Sequence, residues 1–549
     1  MKIRSWWHPC NSLSASHFPR CRSSQSRRVV LLAMFSVLLS GATAQGDIKL
    51  PALIGDNMVL QQGRQVAIWG TADAGEQVTV SLGDQREIAT ANASGQWKVR
   101  LAPLKPGGPW EMTVAGKNTI TIHNVLVGEV WVCSGQSNME VPLILRPRGW
   151  SAGVINYENE IARANYPTLR LFTVQPAIAS KPQTDVKGFW VAAGPQTVGA
   201  FSAAGYFFGR DLQRVLKVPV GLISSSFGGS PVEAWMSEEA IDSDPDMKVL
   251  ADAWRQKIAD YPHIFAKYRH QLEEWEKSAE AVEATGKRDA LTVPVAPQDP
   301  RKAWRRTSGL WNGMMAPLTP YAIAGVIWYQ GEANAAFAYQ YRKAFTTMIE
   351  QWRRAWGEGD FPFLFVQLAN YNPENVPADS WAVVRESQAK ALALPKTAMA
   401  VAIDIGEHHN VHPRNKQEVG RRLALAAEAV AYGRRVEYSG PMFESLRIVN
   451  GTLRLRFRHA NGGLVARGKT LVGFQIAGED QKFVEAHAKI EGNAVVLSSP
   501  NVPKPVAARY AWANDPPCNL YNRANLPAPP FRTDDWPVPT QGEVRKEAL

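Results

Sequence analysis

From about residue 125 the chain sets short apolar runs, at 125–133, 217–224, 323–329, 361–368 and 398–404, between longer stretches of helical spacing. "FSAAGYFFGRDLQRVLK", "AYQYRKAFTTMIEQWRRAW", "WAVVRESQAKALAL" and "KQEVGRRLALAAEAVAYG" carry that spacing. Near-continuous apolar strands that alternate with helices predict a parallel sheet covered on both faces, an α/β fold over 125–434. Residues 45–124 follow a different period. "QVAIWGTA", "EQVTVSL", "QWKVRL", "WEMTVAG" and "NTITIHNVLV" alternate apolar and polar positions between Gly, Asp and Asn turns, which predicts a small β-rich module. The alternation returns in "TLRLRFRHA", "TLVGFQIAG", "KFVEAHAKIEG" and "NAVVLSS", so 435–549 is expected to form a second β-rich region with an extended tail. Residues 240–305 break the α/β rhythm with a charged, Trp-containing helical stretch and a Pro-rich tail, and read as an insertion, a lid or a spacer.

At 549 residues the chain exceeds one typical core, in keeping with this division. The first 44 residues hold Lys2, Arg4, Arg20, Arg22, Arg27 and Arg28 with no acid, then the apolar run Val29 to Leu39 and the small-residue end "ATA". This is the pattern of a secretory signal with a long basic start, and the run is too short to span a bilayer. An exported mature protein, periplasmic or extracellular, is the expectation. Without those six basic residues, 55 Lys and Arg face 50 acids, and the net charge falls from +11 to +5. A weakly basic chain without Lys/Arg clusters offers no case for nucleic acid. Of the four cysteines only Cys133 and Cys518 remain after cleavage. They could pair in an oxidising compartment, but Cys133 in an apolar run also suits an unpaired core residue. The surviving Trp residues suit sugar stacking and large cores equally.

In an open parallel sheet ligands bind at the carboxyl ends of the strands. The segments after the predicted strands are "CSGQSNM", "SSFGGSPVEAW", "QGEAN" and "IGEHHNVHP". Together they supply two candidate serines, paired glycines, an amide-and-acid cluster and several histidines, the parts of a serine hydrolase. A serine hydroxyl needs a base, and the oxyanion it generates needs fixed donors. The histidines at a strand end are His408, His409 and His412; Pro413 holds His412 on the loop just before a helix, free to aim at a serine. Gly228 and Gly229 let backbone N–H groups approach a ligand or simply make a tight turn. Gln330, Glu332 and Asn334 offer polar groups, or a bonded loop. Asp404 closes an apolar strand, where an acid needs a partner; it can orient the histidine or serve as a structural cap.

"VCSGQSNM" (132–139), "GGSPVEAW" (228–235), "WYQGEAN" (328–334) and "DIGEHHNVHPRNKQEVGRRLA" (404–424) occur in the order of the sialate O-acetylesterase family and its carbohydrate-esterase relatives in the SGNH hydrolase superfamily, which this chain resembles. The likeness extends to "DNMVLQQGRQVAIWG" and "CNLYNRANLPAPPFRTDDW", and so to nearly the whole mature chain. The resemblance implies a flavodoxin-like three-layer sandwich with accessory β modules that removes acetyl groups from sugars without a cofactor or metal. It matches the nucleophile to Ser137, leaving Ser134 a supporting role, and the base to His412. The oxyanion glycine falls at Gly229 or Gly228, with Gly229 preferred, and the third donor at Gln330 or Asn334. The superfamily's acid position, three before the histidine, is His409 here; Asp404 is the preferred substitute, with Glu407, Glu332 or no acid at all as alternatives.

Two other classes share some of these features. His408 and His412, four apart beside Glu407, suggest a zinc site, but no HExxH pattern is present and Pro413 opposes the helix such a site needs. A non-catalytic glycan-binding protein would make the strand-end residues accidental. For an esterase, the acetylated sugar is either a plant cell-wall polysaccharide such as xyloglucan or xylan, which the secreted, Trp-rich chain favours, or sialic acid. The carboxylate of sialic acid would call for an arginine such as Arg146, Arg148 or Arg385.

Overall fold

Strand β1, Thr119–Gly135, is 17 residues long and serves two sheets in succession. Its first half pairs antiparallel with Gly107–Ala115 and parallel with Val59–Gln61; its second half, from Glu129, lies between two parallel neighbours. The strand therefore runs unbroken through residues 124 and 125, joining the N-terminal β-rich segment to the α/β segment. The computed structural model describes residues 47–146, 151–285, 292–374, 376–460 and 462–548. The signal sequence expected at 1–44, and Arg148, lie outside them.

The central sheet adds β2 (Tyr166–Thr173), β3 (Trp190–Ala193), β4 (Val220–Ser226), β5 (Gly325–Tyr329), β6 (Phe363–Gln367) and β7 (Thr397–Val401), in the order β7-β6-β5-β1-β4-β2-β3. Every neighbouring pair is parallel except β2 and β3. Strands β4, β5 and β6 are buried along their whole length, as are the last eleven residues of β1, which explains their continuous apolar runs. The outer strand β2 and the edge strand β3 were not legible as strands: β2 opens with exposed residues around Pro167, and β3 has only four residues. Without this edge pair the sheet has the 2-1-3-4-5 order of flavodoxin-like proteins.

Helices α2 (Ala203–Leu216), α4 (Ala338–Trp356), α5 (Ser380–Lys390) and α6 (Lys416–Val430) fall within or beside their predicted stretches. They cover both faces. The register pairs Gly325 with Trp131 and Trp328 with Ser134, so the two indoles leave opposite sides of the sheet. Trp131 meets Phe208 of α2 edge-on at 5.1 Å, and Trp328 stacks on Phe345 of α4 at 6.4 Å. On the α2 side, a Cβ on Gly420 of α6 would stand 2.5 Å from the Cβ of Phe207. Glycine at 420 thus lets α6 lie directly on α2, which draws the start of α6 back toward β1. Within 240–305 most of the chain forms one helix, α3 (Pro245–Thr285), with Pro262 inside it. The C-terminal part forms two four-stranded sheets and a two-stranded one.

The register fixes where the loops emerge. Gly135 at the end of β1 is paired with Ser226 at the end of β4 and with Tyr329 at the end of β5. Three strands therefore finish level, and the segments after them leave the sheet side by side. Backbone bonds hold the exits together: Phe227 N–H donates to Gly135 O at 3.1 Å and Gln136 N–H to Tyr329 O at 3.0 Å. Gly135 has φ +141, and a Cβ there would sit 2.2 Å from the Tyr329 carbonyl oxygen. Gly135→Ala should therefore cost about 1–3 kcal/mol from backbone strain alone, with the clash added. Chemical denaturation should show a lower unfolding free energy, and activity should fall further than stability because the Ser137 loop starts one residue later.

Candidate active site

The first loop turns directly from β1 into the short helix α1 (Ser137–Glu140). Ser134, still inside the sheet, is fully buried, and its hydroxyl points at the Met315 sulfur 3.9 Å away. It does not brace the loop. Ser137 lies beyond the sheet edge, and its Oγ is 2.8 Å from Nε2 of His412. His412 arrives from the segment between β7 and α6. Asn410 holds its backbone from both sides, accepting from His412 N–H at 3.0 Å and donating to His412 O at 2.9 Å. Burial, and secondarily the charge of Lys416, pull the imidazole down to about 4. It is therefore neutral across the ordinary pH range and able to accept a proton.

The second loop brings Gly228 and Gly229 beside the serine. A Cβ on Gly228 would lie 3.7 Å from the Ser137 Cβ and 3.0 Å from Oε2 of Glu140. The Gly228 N–H donates to the Glu140 carboxylate, whose protonation burial favours. Gly229, at φ +69, uses the left-handed conformation that suits glycine, with the half-buried Trp304 indole nitrogen facing it.

The third loop departs from expectation. Gln330 donates its amide hydrogens to Ser230 O and Asn334 Oδ1, and the Asn334 amide nitrogen donates to both oxygens of Glu233. Both side chains are buried. Neither amide is offered to an oxyanion at Ser137; they brace the Ser230–Glu233 turn, because a buried amide must satisfy its donors locally.

The acid also differs. The Asp404 carboxylate accepts from Arg422, at 2.6 and 2.8 Å, and from the Tyr521 hydroxyl at 2.9 Å. Arg422 holds it below the ordinary carboxylate range against the opposing effect of burial. The structure does not bring Asp404 to His412. A strand-end acid did require a partner, and the partner is an arginine one helix later. Glu407 accepts from Asn410 Nδ2 at 3.0 Å and from Arg414 N–H at 2.9 Å, so it stiffens the loop that carries His412. Glu332 accepts from Asn138 Nδ2 at 2.5 Å.

Two residues that sequence reasoning passed over stand next to the pair. Asn138 follows the nucleophile candidate, and Lys416, four residues after His412, is fully buried in the first turn of α6. Both lay inside the quoted motifs, but a lysine at a helix start normally reads as solvated. His408 pairs with Asp515, and among the described residues no group of three His, Cys, Asp or Glu is placed to hold a metal ion. Cys133 and Cys518 are both free.

A serine hydroxyl bonded to a neutral imidazole, with a glycine turn alongside, is equipped for acyl transfer, and comparison with known proteins agrees. Residues 292–429 match the family described as "Carbohydrate esterase, sialic acid-specific acetylesterase". The chain is 32% identical to mouse (Mus musculus) sialate O-acetylesterase over 88% of its own length and 94% of that protein. It is 29% identical to the human (Homo sapiens) protein of the same name over 92% and 96%. The crystal structure of a novel carbohydrate acetylesterase from Xanthomonas citri is similar with a TM-score of 0.75 at 37% identity, over 89% of this chain and 100% of that one. The chain is a carboxylic ester hydrolase. More particularly, it belongs to the sialate O-acetylesterase family of carbohydrate esterases.

The Asp404–Arg422 pair gives a prediction that separates structure from chemistry. Removing one partner of a buried ion pair costs about 3–5 kcal/mol. Asp404→Asn should fall at the low end, because Glu418 still reaches Arg422 at 2.9 Å. Unfolding should shift accordingly, while kcat per folded molecule stays within a few-fold of wild type; a large kcat loss at unchanged stability would return Asp404 to the catalytic machinery.

Proposed function

We propose that this protein is an exported carbohydrate O-acetylesterase that works through an acetyl-enzyme on Ser137. The observation that carries the reading is the 2.8 Å contact between Ser137 Oγ and His412 Nε2. His412 takes the hydroxyl proton as Oγ attacks the acetyl carbonyl, and the tetrahedral oxyanion is held by backbone N–H groups around Ser137 and Gly229. The protonated imidazole then returns its proton to the departing sugar hydroxyl. Water, deprotonated by the same imidazole, attacks the acetyl-enzyme and releases acetate. The 2-1-3-4-5 strand order, and a nucleophile at the point where that order reverses, support placing the α/β segment in the SGNH superfamily. Export rests on the basic-then-apolar leader of residues 1–44.

For substrate, the reading is an acetylated plant cell-wall polysaccharide or oligosaccharide such as xyloglucan or xylan. It is supported by the similarity to a carbohydrate acetylesterase over the full length of that protein. Arg385 also bears on the choice. It is fully buried, with its guanidinium donating to the backbone carbonyls of Leu368, Ala369, Ala513 and Asn514, and so is not free to meet a sugar carboxylate. Sialic acid is the second reading, favoured by the names of the mouse and human relatives.

Ser137→Ala should abolish acetate release while leaving thermal unfolding nearly unchanged; retained turnover would overturn the mechanism. Acetate release across acetylated xyloglucan, xylan, mannan and O-acetylated sialic acid decides the substrate, and preference for the last would reverse the order given. The pH profile carries a sign. The base must be neutral, and with an imidazole at about 4 kcat/KM should hold through mildly acidic pH and fall only as pH drops through about 4. An acidic limb near the ordinary histidine value of about 6.5 would contradict the burial described.

A further inference from the structure

Asn138 ties together the segments that form the site. Its side chain donates to the Val411 carbonyl, one residue before His412, at 2.9 Å, and to Glu332 Oε1 at 2.5 Å. Its oxygen accepts from the Lys416 ammonium at 2.5 Å. One amide therefore joins the nucleophile's own helix, the turn after β5, the loop before the base and the helix after it. Lys416 is 0% exposed, and its ammonium lies 5.0 Å from the centre of the Tyr329 ring, at the end of β5. The second Glu332 oxygen is buried without a hydrogen-bond partner. A lysine and a glutamate withdrawn from water and bridged by one amide are costly to bury. The fold retains them directly beside the reacting pair.

We infer that Lys416 is a positioning residue for the Ser137–His412 pair, acting through Asn138, which also bonds Glu332. It sets the chemistry in two ways. The Lys416–Asn138–Val411 connection holds the His412 loop over Ser137, and supporting bonds of this kind keep a site within the fraction of an ångström that proton transfer requires. The ammonium also stands close enough to oppose a second positive charge on the imidazole.

The groups facing Lys416 are Asn138 from α1, Tyr329 from β5, Glu332 from the turn beyond it, and Glu407 and His412 from the loop before α6. Burial brings Lys416 down to about 7, with Glu332 and Glu407 acting the other way. It is therefore protonated throughout the acidic range in which His412 titrates. The sign follows: without the ammonium the imidazolium is less disfavoured, the imidazole protonates at higher pH, and the acidic limb of activity moves up.

The inference rests on the Ser137–His412 reading, so the test carries Ser137→Ala as a control. Retained turnover there would sink that reading whatever Lys416 does. The informative variants are Lys416→Met and, to keep the interior neutral if the single variant does not fold, Lys416→Met with Glu332→Gln. Profiles of kcat/KM against pH with 4-nitrophenyl acetate, which makes little demand on sugar binding, should show the acidic limb raised by about one pH unit. Above the limb kcat should drop about 10- to 100-fold, as misplacement of reacting groups produces, with KM little changed. A folded variant that keeps both the wild-type limb and the wild-type kcat would overturn the inference and leave the Ser137 mechanism standing. A purely structural role would lower stability and leave the limb in place, which also counts against it.

Discussion

The level register at Gly135 is the constraint on which the site depends. Because Ser226, Gly135 and Tyr329 are partners across three parallel strands, the chain leaves the sheet at three adjacent points with no choice of height. Ser137 is two residues beyond that line, Gly228 two and Gly229 three beyond Ser226, and Glu332 three beyond Tyr329. A slip by one residue in any of these strands would turn its buried side chains to the other face, and the interior of β1, β4 and β5 leaves no room for that. The apolar core and the reactive geometry are thus set by the same hydrogen-bond ladder.

What the ladder cannot supply is the base. Strand β7 is separated from β1 by β5 and β6, so its loop has to return across the sheet. Gly420 lets α6 press against α2, Asn415 caps the helix by accepting from Glu418 N–H at 3.2 Å, and Asn138 catches the Val411 carbonyl. Each removes a freedom that an isolated fourteen-residue connection would keep. The buried charged groups around the site divide between two tasks. Asp404 with Arg422 anchors the start of the β7 exit to α6, whereas Lys416 with Glu332 lies under the reacting groups and shapes their field. Burying charge has little net value for stability, so the second arrangement is better understood as geometry and electrostatics maintained against its cost.

Much of this was legible in the chain. The five apolar runs became β1 and β4 to β7, and the helical stretches became α2 and α4 to α6, because period and burial are local properties that tertiary contacts here reinforce. Ser137 and His412, named from their strand-end positions and the family motifs, do meet. Asp404 is bonded to Arg422 and Tyr521 and not to His412; sequence shows that an acid at a strand end needs a partner but not which one. Arg422, eighteen residues later, reaches it across the α6 packing. The third oxyanion donor was expected at Gln330 or Asn334, with a bonded loop as the alternative; their amides bond Ser230 and Glu233, from a loop a hundred residues away. Lys416 and Asn138 stood within the motifs and were passed over, since a lysine in a first helical turn gives no local sign that it will be buried.

The central claim is that Ser137 is the nucleophile and that His412 activates it. Reaction of the purified protein with an active-site-directed phosphonylating probe, followed by mass mapping of the adduct, tests this most directly. The account predicts a single adduct on Ser137 in the wild-type chain and none in His412→Ala. An adduct on another residue, or equal labelling of Ser137 with and without the imidazole, would contradict it.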